Sequence, residues 1–251
     1  MARRSSASAM GSSPVSFRST ARVPEVTRED VDYLFEATNR TFRDVRLSVA
    51  DITGSWSGLR PLLAEEGKSP SEISRRDEIM VDDATGLVTI AGGKLTAYRR
   101  MAERIVDLVY QRLGRRTEPC RTAELPLPGG ETPAPALPAS LPASTQSRLV
   151  RLYGGDLARL LARDRGAAPI AGMPGVLRAE IEHAIDEAMA LTVEDVLERR
   201  TRALLFDPSQ GLGGVEEVAD VMARRLEWDA DRRASEVDRY RRLAASLRSF
   251  Q

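Results

Sequence analysis

Apolar residues near the N-terminus follow a helical period. Thr27 and Asp30 have the Thr-x-x-Asp spacing of a capping box, which marks a helix start. The apolar positions after it predict a helix with a buried stripe, formed by Val31, Leu34, Phe35, Thr38 and Phe42. From residue 52 the pattern becomes extended, and Pro61 ends it.

A second extended pattern predicts a β-hairpin. Residues 79–81 and 87–91 are β-formers on either side of an Asp-Asp-Ala-Thr-Gly turn. Gly92 and Gly93 end the second strand. A helix from about Leu95 to Leu113 is then predicted, and Gly114 fits its C-terminal stop.

The remainder of the chain is helical in pattern. Residues 119–142 hold seven of the 14 prolines, which is typical of an extended, semi-rigid linker. Beyond them the predicted helices cover residues 147–153, 156–163, 177–190, a segment capped by Thr192 and Asp195, and 215–247.

These patterns predict an α+β remnant followed by an all-α C-terminal domain. We expect a disordered Ser/Arg-rich tail at 1–22, a partial α/β segment at 23–116, a linker at 117–144 and a helical domain at 145–251. The tail is also compatible with a transit peptide or a misassigned start. The α/β segment has too few strands to form a complete sheet with a core.

Composition excludes several classes of protein. The 37 basic and 37 acidic residues balance, so bulk charge indicates no nucleic-acid binding. No apolar run approaches the roughly 18 residues that span a bilayer. Cys120 has no histidine nearby, and His183 has no second ligand at metal spacing, so we expect neither a catalytic thiol nor a metal site.

Three basic features could bind an anion. Arg60 lies where an extended segment ends, and Arg75 follows fifteen residues later. Lys94 comes directly after Gly92-Gly93 and directly before a predicted helix. Glycines let the backbone approach a ligand, and a helix N-terminus favours negative charge. The alternative is that all three are solvated surface charges, because exposed basic residues are common.

Seven short sequence segments, by their residues and their order along the chain, resemble the FAD-dependent glycerol-3-phosphate dehydrogenases. The first part contains SWSGLRPL (55–62), SPSEISR (69–75) and GGKLTAYR (92–99). The helical part contains YG (153–154), EIEHAI (180–185), EAMA (187–190) and DVLERRTR (195–202). The resemblance extends from about residue 23 to residue 250.

The resemblance implies oxidation of sn-glycerol 3-phosphate to dihydroxyacetone phosphate. FAD is the cofactor, and a quinone, or oxygen in the related oxidases, accepts the electrons. Arg60 and Arg75 are expected to face the substrate, and Lys94 to lie near both substrate and flavin as a catalytic cation. The resemblance places the cofactor-binding backbone at Gly92, Gly93, Lys94, Leu95 and Thr96.

The family's Gly-x-Gly-x-x-Gly unit for the FAD pyrophosphate is missing from this sequence. We therefore expect the chain to be inactive alone and to retain little FAD. The resemblance implies a cytoplasmic location with peripheral contact at the inner membrane face, and it allows a homodimer. The alternative function is a non-enzymatic helical interaction module derived from the same family.

Overall fold

A computed structural model describes residues 26–58, 76–163 and 167–250. The predicted tail at 1–22, Arg60 and Arg75 lie outside these residues. Close contacts divide the chain into two compact units, and we name the described residues of Gly58–Leu125 the hairpin unit. The helical unit joins Glu25–Ser57 to Pro126–Gln251.

The described part of the chain is mainly helical, as predicted, with a few short strands. The helices are α1 (Arg28–Thr41), α2 (Tyr98–Arg112), α3 (Ala143–Tyr153), α4 (Leu157–Leu161), α5 (Arg178–Asp186), α6 (Ala203–Phe206), α7 (Val215–Leu226) and α8 (Ala230–Ser246), with a π-helix at Asp195–Arg200. The strands are β1 (Asp77–Val81), β2 (Val88–Gly92), β3 (Pro169–Ile170) and β4 (Met173–Leu177).

The predicted hairpin is confirmed in the hairpin unit. β1 and β2 pair antiparallel, with Asp77 opposite Gly92 and Val81 opposite Val88. A single 3₁₀ turn, Leu95–Ala97, leads from the second strand into α2. The described strands and α2 contain no fully buried residue. Their apolar residues have the spacing of core positions, but the described residues of this unit do not bury them.

Helix α1 begins as predicted but is less buried than predicted. The Thr27 hydroxyl accepts a hydrogen bond from the Asp30 N–H, and the Asp30 carboxylate accepts one from the Thr27 N–H. Of the predicted stripe only Val31 is buried, and the expectation is wrong for Leu34 and Phe42, which are exposed. Periodicity identifies an apolar face, but it does not supply a neighbour that covers it.

Residues 52–57 join no strand of the described sheets and group with the C-terminal helices instead. The Ser55 hydroxyl donates to the Leu247 carbonyl oxygen. The Arg248 guanidinium donates to the Thr53 carbonyl oxygen at 3.1 Å. These bonds explain why residues 25–57 group with the C-terminal helices rather than with the hairpin.

The helical unit has a continuous apolar core. Helix α7 lies between α5 and α8, and the fully buried side chains include Ile181, Leu197, Leu204, Met222 and Tyr240. Sequence patterns did not predict the short antiparallel ribbon of β3 and β4. The predicted single helix at 215–247 is two helices, because Glu227 adopts a left-handed conformation and Asp229 caps a new start.

The proline-rich segment packs against this unit. Leu141 is buried in a cluster with Leu149, Leu157 and Leu177. The Gly129 carbonyl oxygen accepts a hydrogen bond from the Gly155 N–H at 2.8 Å. Residues 126–142 therefore contribute to the helical unit although they form no regular element.

Candidate functional site

The Gly92-Gly93 turn connects β2 to α2. Both glycines have positive φ, +76° and +83°. A Cβ at Gly92 would lie 2.5 Å from the Arg76 carbonyl oxygen, and one at Gly93 would lie 2.7 Å from the Met101 sulfur. The turn itself therefore requires both glycines, independently of any ligand that approaches them.

Lys94 lies directly after this turn with an exposed side chain. Its carbonyl oxygen accepts a hydrogen bond from the Ala97 N–H at 2.9 Å, which closes the 3₁₀ turn. The first N–H groups of such a helical start have no intrahelical acceptor. Lys94, Leu95 and Thr96 are all exposed, so this short segment offers an ammonium and backbone donors together.

Asp77, a carboxylate beside the Gly92-Gly93 turn, already has a partner. Asp77 is opposite Gly92 in the strand pairing and forms an ion pair with Arg104 of α2. Within the described residues, Lys94 forms no salt bridge with Asp77 or with any other carboxylate. The positive charge at the helix start therefore remains available to an anion from outside the unit.

The predicted site residues divide into two groups. Gly92, Gly93, Lys94, Leu95 and Thr96 lie in one continuous turn. The two predicted phosphate-binding arginines at positions 60 and 75 lie outside the described residues, so their distance to Lys94 remains a prediction.

Sequence patterns missed a buried polar network in the helical unit. Glu180 is fully buried, and its carboxylate accepts hydrogen bonds from the Arg148 guanidinium at 2.9 and 2.6 Å. The Tyr153 hydroxyl donates to the same carboxylate at 3.0 Å. Burial raises the pKa of the Tyr153 hydroxyl, and the Glu180 charge adds to this effect. Glu180 is the third residue of α5, a capping position that could have indicated a local role.

His183 lies beside this network. Its ring contacts the Tyr153 ring edge-to-face, with centroids 5.5 Å apart. Burial lowers the pKa of the His183 imidazole, and the nearby Arg163 and Arg159 charges lower it further. Across the described ranges, no group of three His, Cys, Asp or Glu side chains could hold a metal ion.

The helical unit defines the class of protein to which the chain is related. Residues 120–233 match the family described as the C-terminal domain of alpha-glycerophosphate oxidase. Among the described helices, none is both long and apolar enough to cross a bilayer.

Comparison with individual proteins extends this relation to most of the chain. An aerobic glycerol-3-phosphate dehydrogenase of Bacillus subtilis is 36% identical over 254 residues, which covers 93% of this chain and 46% of the relative. One from Staphylococcus saprophyticus is 38% identical over 81% of this chain and 40% of its own length.

A solved glycerol-3-phosphate dehydrogenase from Bacillus halodurans, complexed with FAD, is 31% identical with a TM-score of 0.69. It matches 90% of this chain and 46% of that chain. The chain thus spans about half the length of the relatives that it matches. The similarity to FAD-dependent glycerol-3-phosphate dehydrogenases covers the C-terminal part of those proteins.

Proposed function

We propose that the chain is the C-terminal portion of an FAD-dependent glycerol-3-phosphate dehydrogenase. The complete enzyme would oxidise sn-glycerol 3-phosphate to dihydroxyacetone phosphate and pass the electrons to a quinone. The observation that carries this proposal is the 36% identity to an aerobic glycerol-3-phosphate dehydrogenase over 93% of the chain. That coverage includes the hairpin unit as well as the helical domain.

The turn at Gly92–Thr96 would hold one edge of the flavin. Bound FAD supplies the hydride acceptor for the substrate C2 carbon. Exposed N–H groups at the helix start suit carbonyl or anionic acceptors, and Lys94 would stabilise negative charge that develops during hydride transfer. Arg60 and Arg75 would bind the phosphate, because a guanidinium can contact two of its oxygens at once.

The residues of the turn fit a flavin edge, but they do not replace a pyrophosphate site. The sequence contains no strand–Gly-x-Gly-x-x-Gly–helix unit, which supplies most of the FAD contacts in dinucleotide-binding folds. The chain alone should therefore bind FAD weakly and be inactive. A yellow protein that keeps one flavin per chain through gel filtration would contradict this expectation.

The enzyme proposal is tested by joining the chain to the part of a relative that the chain does not match. The N-terminal portion of the Bacillus subtilis relative, fused before Thr27, should give a flavoprotein that oxidises glycerol 3-phosphate with a quinone analogue. The same fusion assayed with glycerol tests the phosphate requirement. A folded fusion that binds FAD but leaves glycerol 3-phosphate unchanged would refute the proposal.

A second candidate function is a non-enzymatic helical interaction module. It is favoured by the contrast between the well-packed core of the helical unit and the described hairpin unit, in which no residue is fully buried. Upstream DNA distinguishes the two candidates. A reading frame there that encodes a Gly-x-Gly-x-x-Gly strand–helix unit favours the enzyme, and its absence favours the module.

A quinone acceptor implies contact with a membrane surface, and we propose a peripheral location at its inner face with a homodimeric assembly. The test is flotation of the active fusion with anionic lipid vesicles, combined with its mass in solution. A monomer that stays with the protein fraction would exclude both features.

A further inference from the structure

Residues 53–55 are held by the part of the chain that follows α8, and we name them the anchor segment. The Arg248 guanidinium donates from one Nη2 atom to two carbonyl oxygens, that of Thr53 at 3.1 Å and that of Pro208 at 3.2 Å. Hydrogen bonds from a charged donor are roughly twice as strong as those between neutral groups. Arg248 therefore joins the anchor segment to the loop that follows α6.

Two further contacts fix the same segment. The Ser55 hydroxyl donates to the Leu247 carbonyl oxygen. A Cβ at Gly54 would lie 2.8 Å from the Leu205 carbonyl oxygen, so the absence of a side chain permits this close approach to α6. Each residue of the anchor segment thus contacts the helical unit through a different group.

The Arg248 side chain serves these contacts rather than an ion pair. Among the residues that the structure describes, it forms no salt bridge, and its Nε is buried without a hydrogen-bond partner. Arg233 and Arg241 of α8 are different, because both form ion pairs with Glu216. A buried donor without a partner is costly. The two carbonyl contacts are therefore what the guanidinium contributes here.

The anchor segment comes shortly before a predicted phosphate ligand. Arg60, which lies outside the described residues, follows Ser55 by five residues in the sequence. A chain of that length spans at most roughly 18 Å. Binding geometry is sensitive to displacements of about 1 Å. The point from which the backbone leads to Arg60 is thus fixed by the helical unit.

We propose that Arg248 is a positioning residue for glycerol 3-phosphate: through the anchor segment it holds the backbone from which Arg60 reaches the substrate phosphate. The inference rests on the proposed function, which assigns Arg60 to that phosphate. It gives the C-terminal helices, which provide none of the proposed substrate or flavin contacts, a role in substrate affinity.

The kinetic test uses the active fusion with the N-terminal portion of the Bacillus subtilis relative. Arg248→Met removes both hydrogen bonds but keeps an unbranched stem, so KM for glycerol 3-phosphate should rise at least about five-fold while kcat changes less than about two-fold. Inhibition by inorganic phosphate should weaken by the same factor. Arg248→Lys retains a cationic donor and should recover part of the loss. The matched control is Arg241→Met, which removes only an exposed ion pair with Glu216 and should change none of these values.

Proteolysis of the chain alone provides a measurement that needs no activity. Trp56 is 67% exposed, and chymotrypsin can cut after it only when the neighbouring backbone detaches. Arg248→Met should therefore speed this cut at least about five-fold, as measured by mass spectrometry. Ser55→Ala and Gly54→Ala should also speed it. Gly58→Ala should not, because a Cβ there meets no atom within 4 Å.

A raised KM at unchanged kcat, together with faster cutting after Trp56, would support the positioning role. In an active fusion, an unchanged KM in Arg248→Met would overturn it, and so would a loss of kcat and FAD content that accompanies the loss of affinity. Equal cutting of the Arg248→Met and Arg241→Met chains would also overturn it. If circular dichroism shows that Arg248→Met does not fold, Ser55→Ala removes a single hydroxyl and carries the same expectations. A parental fusion that binds FAD but leaves glycerol 3-phosphate unchanged would refute the proposed function, and this inference with it.

Discussion

At the scale of single residues, Glu180 is a fully buried charged group with several hydrogen-bond donors around it. It accepts hydrogen bonds from the Arg148 guanidinium, the Tyr153 hydroxyl and the Leu177 N–H. Arg148 also donates to the Gly175 carbonyl oxygen, so the network connects α3, β4 and α5. The sequence shows a Glu near a helix start, but only the fold shows that its carboxylate is fully buried.

Glu180→Ala should lower the free energy of unfolding by about 3 kcal/mol, because it leaves a largely buried guanidinium without its carboxylate. Glu182→Ala on the same helix is the control. Glu182 is more accessible and lies 3.5 Å from the Arg178 guanidinium, so its loss should cost less than about 1 kcal/mol. Urea titration of both variants measures the difference, and equal costs would contradict a structural role for the buried pair.

His183, the single histidine of the chain, should make stability pH-dependent below its ordinary pKa of 6.5. Burial lowers its pKa in the folded state, with a further contribution from Arg163 and Arg159 that exceeds the opposing effect of Glu187 and Asp156. The unfolded chain therefore binds a proton first. Stability should decrease as pH falls from about 6.5 towards the lowered pKa.

Urea unfolding at about pH 7.5 and about pH 5.5 brackets this range, in which carboxylates with ordinary pKa values stay ionised. His183→Gln removes the titrating group and should flatten the dependence. A slope that the variant retains in full would assign the effect to other groups.

Lys94 and Arg60 should have different kinetic effects in the active fusion. Arg60→Ala should mainly raise KM, because a phosphate contact is present in both ground and transition states. Lys94→Ala should lower kcat by roughly 10²–10³-fold, or about 2–4 kcal/mol, since charge on the flavin grows only during hydride transfer. Lys94→Arg should restore activity only in part, because a planar guanidinium cannot replace a compact ammonium. Near-parental kinetics in both alanine variants would show that these residues are solvated charges.

At the scale of elements, the sequence predicts where helices and strands begin and end better than it predicts which of their residues are buried. The capping boxes at Thr27 and Thr192 and the hairpin turn form as predicted, because their hydrogen bonds are local. The burial of Leu34 was predicted wrongly, since it depends on neighbours distant in sequence. The π-helix at Asp195–Arg200 has no local signature of comparable strength, and the pattern there predicts only a helix.

The hairpin offers a test of the Gly92 turn. Gly92→Ala should open the β2–α2 junction for two reasons. Its Cβ would be strained at the positive φ of this position, and it would clash with the Arg76 carbonyl oxygen. Gly86→Ala has a similar φ of +75° with open space around it, so it should carry only the backbone cost of about 1 kcal/mol. Hydrogen exchange of Asp77–Val81 and Val88–Gly92 compares them. Equal exchange in the two variants would show that the close contact has little effect.

At the scale of the whole molecule, the family and the mainly helical class could be predicted from ordered motifs. The Gly92–Thr96 turn could also be located, because glycines, a cation and a helix start are adjacent in sequence, whereas its contact with a cofactor stays a prediction. How residues 25–57 and 126–142 pack could not be predicted. Their contacts with the helical unit, such as Arg248 to Thr53 and Leu141 to Leu149, join residues whose sequence separation leaves no periodic signal.

Because of these contacts, we expect the helical domain to fold without the hairpin unit when the fragment begins at residue 126. A fragment of residues 126–250 should unfold cooperatively, because it retains the buried core together with Leu141 and the Gly129–Gly155 hydrogen bond. A shorter fragment, 145–250, loses both and should be less stable by about 2–4 kcal/mol, the cost typical of removing one buried leucine. Between the hairpin unit and the helical domain, trypsin should cut after Arg121, which is exposed and lies outside the described helices and strands. Thermal circular dichroism of the two fragments decides the matter, and a broad, non-cooperative melt of the longer one would refute independent folding.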